Sequence, residues 1–204
     1  MNLALFDFDN TITHSDSFSH FLKYSLPYRK QLFGGLSVAP WLIGFRLGYV
    51  NDQQIRIRLC RAAFKNYPAI MLEQQGQQFS KTILPNLMNE HTLQQIANHQ
   101  QKGDQVVVVS SSLDVYLSHW CQQQRIDLIC NQLEVREGCY TGELQQGDCG
   151  YVEKAKRIQQ KYCLGDFDAV YAYGDSPNDH AMLALADHKF YQGQEIKVSN
   201  ELSV

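Results

Sequence analysis

The 204-residue chain lacks the patterns that organise disulfide-rich or zinc-binding proteins. Its six cysteines form no C-x-x-C pair, and its seven histidines form no H-E-x-x-H or H-x₃-H group. A chain of this length also needs no disulfide to stabilise its core. We therefore expect scattered reduced thiols and no zinc site.

Long apolar runs, internal repeats and low-complexity linkers are also missing. The apolar stretch at residues 32–50 is interrupted by glycines, by Pro40 and by Arg46, so we expect a buried or interfacial helix pair rather than a transmembrane helix. A first strand starting at Leu3 leaves no room for a signal peptide. With 44% hydrophobic residues, the sequence predicts a globular, cytoplasmic protein.

The charge is small overall but unevenly distributed. Residues 23–65 contain eight basic residues and one acid, a balance of +7, whereas the rest of the chain contains 10 basic and 20 acidic residues, a balance of −10. The basic segment suggests that this part of the molecule faces something anionic, which includes a peripheral contact with an anionic membrane. We expect no nucleic-acid partner, and the sequence leaves the oligomeric state open.

Two carboxylates end the first predicted strand. Asp7 and Asp9 follow an apolar run, and in an extended chain they project to the same face while Phe8 points the other way. Two carboxylates on one face repel each other unless a cation or a shared proton lies between them. The pair therefore predicts either a bound metal or a raised pKa.

The remaining pattern predicts an α/β fold, a doubly wound parallel sheet with an inserted all-helical cap. Residues 15–85 show only helical or irregular patterns, whereas strands and helices alternate from residue 86 onward. We therefore predict a catalytic core of residues 1–14 and 86–204 and a cap of residues 15–85. In the core we expect helices at 90–102, 113–124 and 153–163, strands at 105–110, 127–133, 168–174 and 188–192, and a hairpin near 137–142.

Polar residues gather where the predicted parallel strands end, which is where open α/β sheets bind ligands. Residues 7–11 follow the first strand, residues 110–112 the second and residues 174–179 a later one, and Lys154 lies near a helix start. Hydroxyl and backbone donors, a fixed cation and metal-binding carboxylates together suit a group that develops negative charge. This set predicts phosphoryl transfer.

These residues resemble the four motifs of the haloacid dehalogenase-like (HAD) phosphohydrolases. The matches are D-x-D-x-T at residues 7–11, Ser110, Lys154, and G-D-x-x-x-D at residues 174–179. The insertion after the first motif looks like the C1 cap of the phosphoserine phosphatase subgroup, subfamily IB. A second Asp at position 9 argues for phosphate rather than halide chemistry.

The resemblance implies a role for each matched residue. Asp7 is the nucleophile that forms an aspartyl-phosphate, and Asp9 is the general acid and base. Mg²⁺ is expected on Asp7, Asp175 and the backbone carbonyl of Asp9. The remaining expected site residues are Lys154 in catalysis, Asn10, Ser110 and Ser111 around the phosphate, and Asp179 and Asn178 in support.

Some assignments have competing interpretations. Lys154 competes with Lys156 and Lys161 for the role of the site cation. Asp179 orients either Lys154 or a metal-bound water. Asp16 is either a helix N-cap or a contact to the substrate. Arg58 is the weakest candidate, since basic residues on an exposed helix face are normally only solvated.

The predicted function is Mg²⁺-dependent hydrolysis of a small-metabolite phosphate, such as an amino-acid or amino-alcohol phosphate. Two alternatives are a phosphatase for a lipid or amphiphilic phosphate at a membrane surface and an inactive HAD-fold binding protein. A phosphotransferase with an acceptor other than water would use the same residues.

Overall fold

The computed structural model describes residues 1–27 and 49–196, together with Pro40 and Ile43. The helix pair expected at residues 32–50 therefore lies almost entirely outside the described residues. In chain order the described elements are β1 (Leu3–Phe6), α1 (Ser17–Ser25), α2 (Asp52–Phe64), β2 (Tyr67–Pro68), α3 (Ala69–Thr82), α4 (Glu90–Gln101), β3 (Gln105–Leu113), α5 (Asp114–Gln124), β4 (Asp127–Asn131), β5 (Leu133–Arg136), β6 (Cys139–Leu144), α6 (Val152–Lys161), β7 (Val170–Gly174), α7 (His180–Ala184), β8 (His188–Tyr191) and β9 (Gln194–Ile196).

A six-stranded sheet forms the centre of the molecule, in the order β4-β3-β1-β7-β8-β9. Its strands are parallel except for β9, which runs antiparallel to β8. Strand β1 lies in the middle, with Leu5 paired to Val107 on one side and to Ala172 on the other. The predicted doubly wound α/β fold is confirmed.

The central strands are apolar on both faces because helices cover the sheet on both sides. Val106 and Val108 pack into one hydrophobic cluster with Phe6, whereas Val107 and Val109 pack into a second cluster on the opposite face. Successive side chains of a strand point to opposite faces, and here both faces are buried, so every position from Val106 to Val109 is apolar. The polar residues that follow the strands are therefore confined to the sheet edge.

In its described residues, the inserted segment contains helices and one short strand. Tyr67 and Pro68 pair antiparallel with Tyr140 and Cys139, so β2 adds to the β5–β6 hairpin and makes a small sheet in the order β2-β6-β5. Helix α3 packs against α5 so closely that a Cβ on Gly76 would lie 1.8 Å from the carbonyl oxygen of Val115. The insertion therefore contacts the core through both a helix and a strand.

The chain enters and leaves this segment at one place. Thr13 and Met88 form an isolated antiparallel bridge, and the amide of His14 donates to the carbonyl of Leu87 at 2.9 Å. This contact lies near the predicted boundaries at residues 14/15 and 85/86. The division into core and cap stays our proposal.

Several element boundaries differ from expectation. Strand β3 continues to Leu113, so residues 110–112 lie within the strand rather than after it, and the pairing with β4 becomes irregular between Val109 and Leu113. The expected strand at 127–133 is divided into β4 and β5, and the expected last strand turns back as the β8–β9 hairpin. These differences extend one strand, divide a second and add β9 after a third, but they keep the order of the predicted elements.

All six cysteines are unpaired, as expected. Within the described ranges, no helix is both long and apolar enough to span a membrane.

Candidate active site

The carboxyl ends of β1, β3 and β7 surround a cleft of about 540 Å³. The chain leaves β1 at Asp7 and turns sharply, with Asn10 at a φ of 60°, a left-handed conformation that asparagine tolerates well. Of the residues expected at the site, Asp7, Asp9, Asn10, Asp16, Ser110, Ser111, Lys154, Asp175 and Asn178 line the cleft. The structure thus gathers residues that are up to about 170 positions apart in the sequence.

Lys154 is buried between two carboxylates. Its Nζ donates to Oδ1 of Asp7 and to Oδ1 of Asp179, each at 2.5 Å, and its side chain is 1% exposed. Burial lowers the pKa of Lys154, but Asp7 and Asp179 outweigh that effect and hold the pKa above its usual value. The lysine is therefore a fixed positive charge beside Asp7.

Asp179 orients Lys154 and also shapes the turn after β7. Its second carboxylate oxygen accepts hydrogen bonds from the amides of Asp175 and Ser176 at 3.1 and 3.2 Å. Gly174 makes room for this turn, because a Cβ there would lie 2.5 Å from the Cβ of Asp179. Of the two interpretations of Asp179, the geometry favours the orientation of Lys154.

The carboxylates of the cleft repel one another. Burial raises the pKa of Asp7 to about 8; Lys154 opposes this rise and Asp179 adds to it. Burial, followed by the charge of Asp179, raises the pKa of Asp175 to about 6. The site therefore carries more negative charge than Lys154 alone can compensate.

Three of these carboxylates are close enough to share a cation. Oxygen atoms of Asp7, Asp175 and Asp179 all lie within 4.8 Å of one another. Oxygen-only donor sets are those that Mg²⁺ prefers, and the uncompensated negative charge favours a divalent ion. Asp7 and Asp175 are the better ligands, because Asp179 is already bonded to Lys154 and to two amides.

Asp9 is held from both the cap and the core. Its Oδ1 accepts the amide of Ser17 at 2.7 Å, at the start of α1, and its Oδ2 accepts the hydroxyl of Ser112 at 2.5 Å. Burial and then the charge of Asp16 raise the pKa of Asp9, although these two hydrogen bonds lower it. A carboxyl in this environment can hold a proton nearer to neutral pH than a solvated aspartate.

The serines of β3 have distinct partners. Ser110 accepts the amide of Ser112 at 3.0 Å through its hydroxyl oxygen, whereas the hydroxyl of Ser111 donates to the carbonyl of Cys149 at 2.8 Å. Both Ser110 and Ser111 line the cleft. The hydroxyl of Ser110 is therefore the better placed of the two to meet an anion.

On the cap side, the structure supports the capping interpretation of Asp16. It also places Arg56, rather than Arg58, at the cleft. Asp16 accepts the amide of Phe18 at 3.2 Å as the N-cap of α1, and it also lines the cleft. Arg58 is not among the residues that line the cleft, whereas Arg56 of the same helix is. Residues two positions apart on a helix point in different directions, which explains the difference.

Other cleft contacts were not expected from the sequence. Thr11 lies 3.5 Å from Asp175 through its hydroxyl, Tyr151 donates its hydroxyl to Asp52 at 2.7 Å, and Asp52 and Tyr151 line the cleft with Arg56. The T of the first motif was the available signal for Thr11. Nothing in the local sequence pairs Asp52 with Tyr151, since the two are 99 positions apart.

Comparison with known proteins places the chain in one family. The model of the haloacid dehalogenase-like hydrolases matches residues 4–184. Protein CicA of Caulobacter vibrioides (strain NA1000 / CB15N) is 29% identical over 192 residues, covering 93% of this chain and 85% of CicA. A histidinol-phosphatase of Neisseria meningitidis serogroup C (strain 8013) is 25% identical over 211 residues, covering 98% of this chain and 94% of the relative.

Solved structures show the same fold. A protein from Bordetella pertussis Tohama I superposes with a TM-score of 0.74 at 22% identity, covering 92% of this chain and 88% of that one. A substrate-bound phosphoserine phosphatase superposes with a TM-score of 0.64 at 20% identity, covering 93% and 84%. The phosphatases among these similar proteins agree with the predicted enzyme class. The match over residues 4–184 shows that the chain belongs to the haloacid dehalogenase-like hydrolase family, which confirms the resemblance seen in the sequence.

Proposed function

We propose that the protein is an Mg²⁺-dependent phosphomonoester hydrolase that acts on a small-metabolite phosphate. The observation that carries this proposal is the position of Lys154, buried between Asp7 and Asp179 with Asp175 at the same sheet edge. A nucleophilic carboxylate, a fixed cation and a pair of metal-binding carboxylates are what phosphoryl transfer requires.

In the first step, a carboxylate oxygen of Asp7 attacks phosphorus and forms an aspartyl-phosphate. The bond between phosphorus and the ester oxygen breaks, and Asp9 gives its proton to the leaving alkoxide. Lys154 and the hydroxyl of Ser110 stabilise the negative charge on the phosphoryl oxygens. The raised pKa of Asp9 suits a group that must hold a proton before this step.

In the second step, Asp9 takes a proton from water as the water oxygen attacks phosphorus. The acyl-phosphate bond breaks, which releases inorganic phosphate and restores the carboxylate of Asp7. Asp7, Asp175 and the backbone carbonyl of Asp9 would hold Mg²⁺, which when bound neutralises phosphoryl charge. In this proposal Asp179 and Asn178 position Lys154 and the loops around it.

The proteins similar to this chain support a small substrate. One relative is named a histidinol-phosphatase, and phosphoserine phosphatases are among the similar structures. The lipid-phosphate alternative rests on the positive charge of residues 23–65 together with the apolar stretch at 32–50. Most of that stretch lies outside the described residues, and no observation on the described residues favours this alternative. The converging carboxylates and buried lysine argue against an inactive binding protein. A cytoplasmic location stays a prediction from the sequence.

The test is hydrolysis of para-nitrophenyl phosphate and of a panel of amino-acid, amino-alcohol, sugar, nucleotide and lipid phosphates. We expect turnover that EDTA removes and Mg²⁺ restores. Asp7→Asn should lower kcat by about 10³-fold or more, because the nucleophile is lost. The exposed Asp166→Asn, outside the cleft, is the matched control and should keep wild-type turnover.

A covalent intermediate provides an independent readout. Wild-type protein quenched in acid during turnover should carry phosphate that hydroxylamine removes, and Asp7→Asn should carry none. If wild type and Asp7→Asn were equally inactive on the whole panel with Mg²⁺ present, the hydrolase proposal would fail.

A further inference from the structure

Among the residues that the structure describes, positive charge is scarce on the cap side of the cleft. Among the described residues that line the cleft, the cations are Lys154 and Arg56. Lys154 is enclosed by Asp7 and Asp179 at the base of the cleft. Within that set, Arg56 is thus the cation on the side where the leaving group of a phosphate ester would lie.

Arg56 forms an ion pair with Asp148, a carboxylate of the core. One guanidinium nitrogen donates to Oδ1 and Oδ2 of Asp148 at 3.0 and 3.2 Å. The side chain of Asp148 is 3% exposed and that of Arg56 is 20% exposed, so solvent screens this pair little. The positive charge of Arg56 is therefore largely cancelled before a substrate arrives.

Asp148 cannot easily turn away from Arg56. The fully buried amide of Asn131 donates to Oδ1 of Asp148 at 2.8 Å and to the carbonyl of Ser111 at 2.5 Å, while its oxygen accepts the amide of Cys149 at 2.6 Å. Rotation of Asp148 would leave buried polar groups without partners, which is costly. The ion pair is thus fixed by the core loops.

Two further carboxylates lie on the cap side, and the described cation that acts on Asp52 is the same Arg56 that pairs with Asp148. Asp52 lies one helical turn before Arg56 and accepts the hydroxyl of Tyr151, and Asp16 lies at the start of α1. In the described part of the chain, neither Asp52 nor Asp16 forms an ion pair with a basic residue. The described residues at this end of the cleft therefore carry more negative than positive charge, with Asp16, Asp52 and Asp148 against Arg56.

We propose that Asp148 determines specificity by neutralising Arg56, so that the cleft accepts phosphate esters whose leaving group carries an amine and rejects those whose leaving group carries a carboxylate. The inference rests on the proposed phosphatase function and narrows its substrate class to amino-alcohol phosphates. An ammonium group is attracted by Asp52 and Asp16, whereas a carboxylate meets like charges and finds Arg56 occupied.

The test compares two esters that differ by one carboxylate, O-phosphoethanolamine and O-phosphoserine. We expect wild-type kcat/KM to favour O-phosphoethanolamine by about tenfold or more, the size of one like-charge contact in a partly buried site. The preference should shrink as salt is raised, because these carboxylates are partly exposed to solvent.

A double-mutant cycle assigns the effect to the pair. Asp148→Asn keeps the shape of the side chain but releases the charge of Arg56, so the preference should fall by about tenfold. Adding Arg56→Gln to Asp148→Asn should restore the preference. Each ratio is measured within one variant, so a general loss of activity cancels. Asp52→Asn should also weaken the preference for O-phosphoethanolamine, because it removes one of the carboxylates that attract the ammonium group. This variant replaces Asp148→Asn in the test if Asp148→Asn does not fold.

The outcomes separate the inference from the function on which it rests. If wild type hydrolyses para-nitrophenyl phosphate but treats the two esters alike, as substrates or as competitive inhibitors, the inference is overturned and the proposed function stands. A preference for O-phosphoserine overturns it equally. If no phosphate is hydrolysed, the proposed function fails and the inference fails with it.

Discussion

The ammonium of Lys154 and the carboxylate of Asp7 lie 2.5 Å apart with almost no access to solvent, although 147 positions separate them in the sequence. The same ammonium reaches Asp179 at an equal distance. The lysine therefore stabilises the fold as well as the proposed site, since without it two buried carboxylates would face each other.

Lys154→Met should destabilise the protein by about 3–5 kcal/mol, the usual cost of leaving buried charges without a partner. Thermal unfolding at pH 7 measures this. Lys156→Met is the matched control, because Lys156 lies on the same helix with its side chain 62% exposed, and its loss should change stability little. Adding Asp179→Asn to Lys154→Met should recover part of the stability. An unchanged melting temperature in Lys154→Met would contradict the ion-pair account.

Asp9→Asn should slow the hydrolysis of alkyl phosphates by about 10²–10⁴-fold, because their poor leaving group needs a proton. Para-nitrophenolate leaves without protonation, so its release in the first turnover should be affected much less. Stopped-flow kinetics should then show a burst of para-nitrophenol followed by slow steady-state turnover, since the second step still needs a base. Equal losses for the burst and for alkyl phosphates would argue against a proton-transfer role for Asp9.

Asp114, at the start of α5, should make stability depend on pH. Its Oδ1 is buried without a hydrogen-bond partner, and burial raises its pKa to about 6 from an ordinary value of 3.8, although the backbone of Leu133 opposes this rise. Between these two pH values the folded protein holds a proton that the unfolded chain has released. The free energy of unfolding therefore falls as pH rises through this window.

Asp114→Asn should remove the part of that dependence due to Asp114, and Asp7 and Asp175 keep theirs. The substitution should therefore stabilise the protein by about 2 kcal/mol at pH 8 relative to its effect at pH 4. Urea unfolding of wild type and variant at several pH values measures the difference. Asp166→Asn, at an exposed position, is the control. It should change the free energy of unfolding by the same amount at pH 4 and at pH 8. A difference between Asp114→Asn and wild type that is the same at pH 4 and pH 8 would disprove this account.

Gly76→Ala should destabilise the protein even though alanine favours helices over glycine by about 1 kcal/mol. A Cβ at this position would lie 1.8 and 2.6 Å from the carbonyl oxygen and carbon of Val115, and backbone atoms cannot rotate away. We expect a net loss of about 2–4 kcal/mol, as α3 is forced from α5. Gly165→Ala, with nothing within 4 Å of the added Cβ, should be close to neutral by the same thermal measurement.

Some parts of the fold were predictable because they depend on local sequence. The unbroken apolar run Val106–Val109 lies in the strand predicted at 105–110, and the helix predicted at 90–102 is observed as α4, one residue shorter. Strand ends were predictable as ligand sites because parallel strands end at one edge. Motif residues such as Asp7 and Asp175 were therefore expected near each other.

The cap side of the cleft was less predictable because it depends on how helices dock. Arg56 and Arg58 lie in the same stretch of sequence, so the sequence does not tell them apart. Which of the two faces the cleft depends on the orientation of α2 about its own axis when it packs on the core. The partner of Arg56 is Asp148, 92 positions away, on a loop without a sequence pattern of its own. Strand β2 could not be predicted for the same reason. Its two residues, Tyr67 and Pro68, form a strand only because they pair with the edge of the β5–β6 hairpin.

The central place of β1 in the sheet constrains how the chain can fold during synthesis. Residues 3–6 are made early, but their pairing partners, residues 105–108 and 170–173, are made much later. Until then an apolar strand with two open edges is exposed to other chains and to chaperones. A ribosome that stalls before residue 170 would thus release a product in which one edge of β1 stays open to aggregation, and synthesis of β7 is the step that covers that edge.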